Sequence, residues 1–267
     1  MSEILILLAI AGSTALFLYG LKLMSESLQK VMGQWLQIIL SSISSNKAKS
    51  VLTGFFITAL IQSSSATTVM VVSFVNAGML GLNEALCVIM GANIGTTLTA
   101  WLVALLGFQF EVSFFMLPLI GIGIPLIFSN SRKIKNWGEM LLGFSLLFIS
   151  LDFLKNTIPV VSNSWLLDSI LLIKSLPYIS YVAFFLIGTL VTVIIRSSNA
   201  IFALILVLSY QGWISFDLGA AMVLGVNVGT TIAAINASRI ANVTAKRVAY
   251  ARLLFNLFGV IWVIAFF

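Results

Sequence analysis

Long apolar segments separated by short polar stretches dominate the pattern of the chain. A helix that crosses a membrane needs about 20 apolar residues. The predicted spans cover residues 4–22, 84–106, 111–129, 138–156, 218–236 and 247–267. More amphipathic stretches, 25–46 and 160–177, follow the first and the fourth span. The pattern therefore predicts an all-α integral membrane protein, and we expect residues 4–21 to form its first span rather than a removable signal.

Two further apolar segments, 51–80 and 182–214, each carry a polar group near their centre. The first contains QSSSATT at 62–68, and the second contains RSSNA at 196–200. Each segment could cross the membrane once as a single helix, or fold as a re-entrant hairpin whose two short arms meet at the serines. Irregular backbone at membrane depth is tolerated only where it is buried in protein or lines a wet cavity.

The sequence repeats itself at an offset of 134 residues. The matched positions are polar residues and glycines: Gly54 with Gly188, Thr58 with Thr192, Ser63 and Ser64 with Ser197 and Ser198, and GANIGTT (91–97) with GVNVGTT (225–231). Such matches at one fixed offset indicate a duplicated unit. We predict two repeats, residues 1–133 and 135–267, with their hairpins at about 51–80 and 182–214 and no separate soluble domain.

The choice between hairpin and full span decides the topology of the repeats. With a hairpin, each copy crosses three times and the second copy is inverted; with a full span, the two copies are parallel. The hairpin topology places most basic residues between spans, including SRKIK (131–135), on one side and leaves Lys155 and Lys174 opposite. Because basic loops stay cytoplasmic, the charges favour inverted repeats, each with three transmembrane helices and one re-entrant helical hairpin. The chain would then lie in the inner or plasma membrane, with both termini on its outer side.

Composition excludes several classes of protein. Only 8% of the residues are charged, whereas soluble domains carry roughly 25%. Most of the basic residues behind the net charge of +6 lie between apolar spans, so nucleic acid is not an expected partner. The chain has no histidine and one cysteine, Cys87, and no acid stands beside the serines. Without an activated nucleophile, neither an enzyme nor an organic cofactor is expected.

The duplicated polar motifs suit ion binding. Serine hydroxyls both donate and accept hydrogen bonds, and a helix that begins after a serine turn presents free N–H groups and a positive dipole end. Two such ends facing one point would hold a small tetrahedral oxyanion, and carbonyls that end the preceding arms would suit a hard cation. The alternative is that small residues only allow close helix packing, which also fits Gly91, Gly95, Gly225 and Gly229.

Arg196 takes the place of Gln62 in the second copy, between VTVII and SSNA. A guanidinium at membrane depth is a functional candidate, and its planar fork matches an oxyanion. The alternative is a structural partner such as Glu84 or Asp217.

QSSSATT with GANIGTT, repeated once, resembles the type II sodium/phosphate cotransporter family, and AYARLLFNLFGV (249–260) is similar to that family's end-of-repeat segment. The resemblance covers essentially the whole chain and implies inverted repeats, two re-entrant hairpins and Na⁺-driven uptake of inorganic phosphate. With the motifs, it assigns phosphate binding to Ser63, Ser64, Ser65, Ser197, Ser198, Asn199, Asn93 and Asn227, and the guanidinium chemistry adds Arg196 to this set. It assigns Na⁺ binding to Gln62, Ser64, Thr67, Thr96, Thr97, Ser198, Thr230 and Thr231.

The second motif departs from the family pattern. Arg196 and Asn199 stand where the family has glutamine and a third serine, and Ile201 and Phe202 replace Thr67 and Thr68. We hypothesise that Arg196 substitutes for one bound cation, so that fewer Na⁺ ions accompany each anion.

The sequence as a whole predicts a secondary active transporter. We expect Na⁺-coupled uptake of inorganic phosphate by alternating access, with the ions between two serine-bearing hairpin tips near the membrane midplane. An uncoupled channel or exporter for phosphate or another small oxyanion is the alternative. The expected partners are phosphate, Na⁺ as coupling ion and the lipid bilayer; homodimer formation stays open.

Overall fold

A computed structural model describes residues 3–32, 38, 46–109, 113–157 and 177–266, and within these ranges every regular element is helical. The prediction of an all-α chain is confirmed for this part of the sequence. The helices are α1 (Glu3–Val31), α2 (Lys47–Ile61), α3 (Ser64–Asn76), α4 (Leu82–Ala104), α5 (Ser113–Ile127), α6 (Arg132–Thr157), α7 (Pro177–Ile195), α8 (Ser198–Tyr210), α9 (Phe216–Gly229), α10 (Thr231–Ser238) and α11 (Val243–Phe266). A π-helical turn, Leu105–Gln109, continues α4.

Among the described residues, four stretches of helix are long and apolar enough to cross a membrane: Ile4–Val31, Leu82–Phe108, Arg132–Thr157 and Phe216–Ser238. They coincide with four of the predicted spans. Helix α1 is longer than its predicted span because it continues through the start of the amphipathic stretch to Val31. Most of the remainder of that stretch, and 160–176 of the second one with Lys174, lie outside the described residues.

Both polar segments are broken into two helices at their polar motif. Helix α2 ends at Ile61 and α3 begins at Ser64, while α7 ends at Ile195 and α8 begins at Ser198. Gln62 and Arg196, at the breaks, both have φ 57°. This left-handed conformation is uncommon for residues other than glycine, and it recurs here at the offset of 134. The glycines that follow α3 and α8, Gly78 and Gly212, share it with φ of 73° and 75°.

One compact unit comprises Met1–Met32, Ala100–Phe184 and Ala200–Met222. Its described core includes Phe17, Leu147 and Leu151. Helices α1 and α6 approach closely, because a methyl group on Gly143 would lie 2.4 Å from the backbone nitrogen of Met24. Such contacts through small residues are typical of helices in membranes.

The other compact unit comprises Gly33–Thr99, Phe185–Asn199 and Val223–Phe267. Its described core joins α3, α4 and α11 through side chains such as Val71, Val88 and Val248. This unit, here called the motif unit, contains QSSSATT, GANIGTT, GVNVGTT and the first four residues of RSSNA. Each compact unit draws on both halves of the sequence, so the division into repeats 1–133 and 135–267 stays a prediction.

The glycines of the GxNxGTT motifs make the same packing contact in both copies. A methyl group on Gly91 would lie 1.9 Å from the carbonyl oxygen of Val51, and one on Gly225 would lie 2.0 Å from that of Phe185. Val51 and Phe185 are themselves 134 residues apart. Close packing therefore accounts for these glycines, and the duplicated sequence gives α2 against α4 and α7 against α9 the same contact.

Candidate functional site

The first turn of α3 is built from the serines and threonines of QSSSATT. Ser63 is the N-cap, and its side chain accepts a hydrogen bond from the backbone nitrogen of Ala66 at 3.2 Å. Serine favours this position because its hydroxyl satisfies a free N–H group of the first turn. Thr67 is buried; it receives a hydrogen bond from Thr58 at 3.0 Å and donates to the Ser63 carbonyl. The hydroxyls thus fix the break between α2 and α3.

Gln62 connects the two copies of the motif. The Gln62 carbonyl accepts a hydrogen bond from Nδ2 of Asn199 at 2.7 Å, and Gln62 Oε1 accepts a short one from Thr99. All three side chains are buried. The structure therefore brings together Gln62 of the first motif and Asn199 of the second, two predicted site residues that are 137 positions apart in sequence.

Arg252 of α11 is the charged residue at the centre of this region, and its side chain is almost completely buried, with 1% exposed. Its Nη1 donates to the carbonyl oxygen of Ser64 at 2.9 Å and to Oγ1 of Thr68. Its Nη2 donates to Oγ of Ser64 at 3.0 Å and to Oγ1 of Thr230 at 3.4 Å. One guanidinium thus joins the first turn of α3 to the start of the GTT segment of the second copy.

Within the described part of the motif unit, two buried polar side-chain atoms have no hydrogen-bond partner: Nε of Arg252 and Oδ1 of Asn199. A buried unsatisfied donor or acceptor is costly, and each case in a folded protein calls for an explanation. One is a donor suited to an anion, and the other is an acceptor suited to a cation or a hydroxyl.

The charge of Arg252 is not balanced by an acid. Within the described residues, the ion pairs are Lys22–Glu26, Lys30–Glu139 and Lys155–Asp152, and every acceptor that meets Arg252 is a neutral oxygen. The guanidinium also lies at the N-terminus of α3, where the helix dipole is positive. A buried charge is expensive unless it is paired, so this site favours an anion electrostatically.

The GVNVGTT segment contacts α3 where α9 ends. Oγ of Ser65 donates to the carbonyl of Thr230 at 3.4 Å. Thr230 and Thr231 direct their own hydroxyls back to the carbonyls of Asn227 and Val228. Threonine hydroxyls that bond to preceding carbonyls compete with the helix ladder, and the predicted span 218–236 is interrupted here, at Thr230 between α9 and α10.

Asn256 bridges the two GxNxGTT motifs. Its Oδ1 accepts from Nδ2 of Asn93 at 2.9 Å, and its own Nδ2 donates to the Asn227 carbonyl at 2.7 Å. The bridge satisfies the Asn93 amide, whereas the Asn227 side chain is exposed.

The remaining predicted site residues lie at the margins of this cluster. Thr96 and Thr97 donate to carbonyls of their own helix, those of Ala92 and Ile94. Ser197 and Ser198 are half-buried at the start of α8. Arg196 is exposed, and within the described residues its side chain forms no ion pair with Glu84 or Asp217.

The sequence reasoning did not assign Thr68 or Thr99 to the site, and it also missed Arg252 and Asn256. Both lie in AYARLLFNLFGV, but the search for chemistry followed pairs of residues at the offset of 134. The positions that correspond to them in the first copy are Pro118 and Ile122, so neither has a polar counterpart. The available signal was the same one that selected Arg196: a lone arginine within an apolar segment.

Comparison with known proteins decides the family. A family model described as Na⁺/Pi-cotransporter matches residues 16–156 and 175–267. The chain belongs to the Na⁺/Pi-cotransporter family. The resemblance read from the motifs is therefore confirmed, and with the four apolar helices it makes the chain a helical membrane protein of a phosphate transporter family.

Relatives of this Na⁺/Pi-cotransporter family member carry names that indicate different functions. YjbB of Salmonella typhimurium strain LT2, named as a proposed inorganic phosphate export protein, is 30% identical over 265 residues, which cover 98% of this chain and 47% of YjbB. The protein YqeW of Bacillus subtilis strain 168, of unassigned function, is 28% identical over 98% of this chain and 83% of its own length. The human sodium-dependent phosphate transport protein 2B is 38% identical over 104 residues, 38% of this chain and 15% of that protein.

The chain thus spans about half the length of the YjbB proteins that it matches. No solved structure matches it.

Proposed function

We propose that this chain is a secondary active transporter that carries inorganic phosphate across the cell membrane, driven inward by Na⁺. The observation that carries the proposal is the buried group of hydroxyls, amides and one guanidinium at the break between α2 and α3. It supplies donors for an oxyanion and neutral oxygens for a hard cation within one compact unit. Membership of the Na⁺/Pi-cotransporter family supports phosphate and Na⁺ as the two solutes.

The binding roles follow the type of each group. Backbone N–H groups at the start of α3 and the hydroxyls of Ser63, Ser64 and Ser65 would donate to phosphate oxygens. Gln62, Thr67 and the carbonyls that end α2 would offer oxygens to Na⁺. On the second copy, Ser197, Ser198 and Asn199 would complete the phosphate site, with Thr230 and Thr231 toward Na⁺. Asn93, Asn227, Thr96 and Thr97 would form the outer layer.

We also propose that the two broken segments are re-entrant hairpins in inverted repeats. The repeated left-handed residues, Gln62 and Arg196, support a duplicated turn at each tip, and inverted repeats with interrupted segments are a common design of secondary transporters. In this topology both termini lie outside, and the site opens to each side of the membrane in turn.

Export of phosphate without Na⁺ coupling is the second candidate. It is supported by the name of YjbB, to which this chain is similar over 98% of its length. Arg252 also favours it, because a fixed positive charge attracts phosphate without the help of a bound cation.

Transport by the purified chain in proteoliposomes separates these candidates. Liposomes loaded with equal phosphate on both sides are given an inward Na⁺ gradient, and labelled phosphate is followed over time. Na⁺-coupled uptake predicts transient accumulation above equilibrium that a sodium ionophore abolishes. Flux that runs only down the phosphate gradient, equal in Na⁺ and choline, would contradict coupling and favour the exporter or channel. An absence of phosphate flux under every gradient would overturn both.

A further inference from the structure

The oxygens around Arg252 form the kind of cage that a monovalent metal ion occupies. Four oxygens from three residues accept from its two terminal nitrogens: the carbonyl and Oγ of Ser64, Oγ1 of Thr68 and Oγ1 of Thr230. All are neutral, and all three residues are buried. Carbonyl and hydroxyl oxygens are the ligands that hard cations prefer, so the guanidinium lies where such an ion would be held.

Two of these residues, Ser64 and Thr230, are among those assigned to Na⁺ from the family resemblance. We propose that Arg252 is a tethered cation that occupies one Na⁺ position of this transporter, so that one fewer Na⁺ binds with each phosphate. This proposal rests on the proposed function, since it concerns how the same site couples Na⁺ to phosphate.

Two positive charges cannot share this cage. A guanidinium that already uses the oxygens leaves none for Na⁺, and its charge repels a second cation at contact distance in a buried site. Within the described residues, no carboxylate neutralises the charge of Arg252. Arg252 therefore supplies to a bound anion the neutralisation that a Na⁺ ion in the same position would supply.

The unpaired Nε of Arg252 distinguishes an arginine that helps to bind an anion from one that only connects helices. An arginine that only joins α3 to α11 would be expected to have all its buried donors satisfied. Here both terminal nitrogens are engaged by the cage, while the buried Nε has no partner among the residues that the structure describes. Of the five N–H donors of the guanidinium, the cage takes four, so Nε–H is left to donate one hydrogen bond to an oxyanion.

The same reasoning moves the cation substitution away from Arg196. That residue also carries a fixed charge, but it is exposed, and within the described residues no oxygen cage surrounds it. The hypothesis that a fixed positive charge replaces one coupling ion therefore applies better to Arg252, which has no counterpart in the first copy.

Equilibrium binding of labelled phosphate to the purified full chain, measured over a range of Na⁺ concentrations, tests the proposal. The logarithm of the phosphate affinity is plotted against the logarithm of the Na⁺ concentration. By mass action, the slope gives the number of Na⁺ ions that bind together with phosphate. We expect Arg252→Gln to raise this slope by about one relative to wild type, because a neutral side chain frees the cage for Na⁺. Arg252→Lys keeps the charge and should leave the slope at the wild-type value.

Equal slopes in wild type and Arg252→Gln, with phosphate binding retained in both, would overturn the proposal. Arg196→Gln is the matched control for loss of an arginine and should leave the slope unchanged. If wild type binds no phosphate at any Na⁺ concentration, the proposed function fails, which is a different outcome from a failure of the tethered cation.

Thr68→Val provides a test if the buried arginine cannot be replaced without unfolding. This near-isosteric change removes one oxygen of the cage. If the oxygen holds Arg252, the melting temperature falls while the Na⁺ concentration for half-maximal phosphate binding stays within about twofold of wild type. A rise of tenfold or more in that concentration would show that the oxygen binds Na⁺ and would overturn the proposal. Ser145→Ala, which removes a buried hydroxyl bonded to its own helix, controls for the loss of a hydroxyl.

Discussion

The two copies of the motif share a backbone but not a chemistry. At the break before α3 and at the break before α8, one residue has φ 57° and a new helix begins two residues later. In the first copy, Thr67 and Thr68 follow, and both are buried and hydrogen-bonded. In the second copy, the equivalent residues are Ile201 and Phe202, also buried. Duplication has kept the turn, and the polar contacts have concentrated on the first copy.

Arg252 is a second difference between the two copies, because only one copy contains a polar residue at this position. It engages Ser64 and Thr68 of the first motif, and its equivalent in the first half is Pro118. The difference indicates that a site built from two copies of one motif need not be chemically symmetric. The two copies share their backbone geometry and the packing of their small residues, whereas the polar groups that select an ion can come from one copy alone.

The largest expected effect tests the shared backbone. Gly91→Ala and Gly225→Ala each force a methyl group against a backbone carbonyl, at 1.9 and 2.0 Å, so each should lower the free energy of unfolding by about 3 kcal/mol. Thermal unfolding in detergent measures the loss. Gly259→Ala, with nothing within 4 Å of the added methyl group, is the control. A well tolerated change at one copy and a severe one at the other would break the claimed equivalence of the packing.

A smaller effect is expected on phosphate binding when equivalent serines of the two copies are replaced. Ser64→Ala leaves a buried donor of Arg252 unpaired, which costs roughly 1–3 kcal/mol and should weaken phosphate binding about 5- to 100-fold. Ser198→Ala, at the equivalent position, removes a half-buried hydroxyl and should weaken binding less than about fivefold. Phosphate binding isotherms give both values. Equal losses would mean that the two halves contribute alike and would contradict the asymmetry.

The sequence was sufficient to predict the all-α class and the long apolar helices, because apolar length and a fixed repeat are visible in the residues themselves. The inverted repeats and re-entrant hairpins stay predictions. The repeat also located Gln62, Ser64, Asn199 and Thr230, which lie in one compact unit. Asn199 is hydrogen-bonded to Gln62, and Ser64 and Thr230 are both hydrogen-bonded to Arg252. It could not locate Arg252, since symmetry in sequence highlights paired residues and hides a residue present in one copy. Nor could it show that Thr96 and Thr97 bond to their own helix, because that choice depends on rotamers.

The smallest expected effect concerns Arg196. Because this side chain is exposed and unpaired within the described part of the chain, Arg196→Gln should change the free energy of unfolding by no more than about 0.5 kcal/mol. Phosphate affinity should fall less than tenfold, and the difference should shrink as ionic strength rises, since exposed charges are screened. A loss as large as that from Ser64→Ala would place Arg196 in the site and restore the symmetric picture.

Binding of inorganic phosphate to the purified chain, in Na⁺ and in choline with sulfate and arsenate as competitors, tests the central claim most directly. A site with donors for a tetrahedral oxyanion in a Na⁺/Pi-cotransporter family member predicts saturable phosphate binding in Na⁺, displaced by arsenate and not by an equal excess of sulfate. Failure of phosphate to bind in Na⁺ would contradict the account.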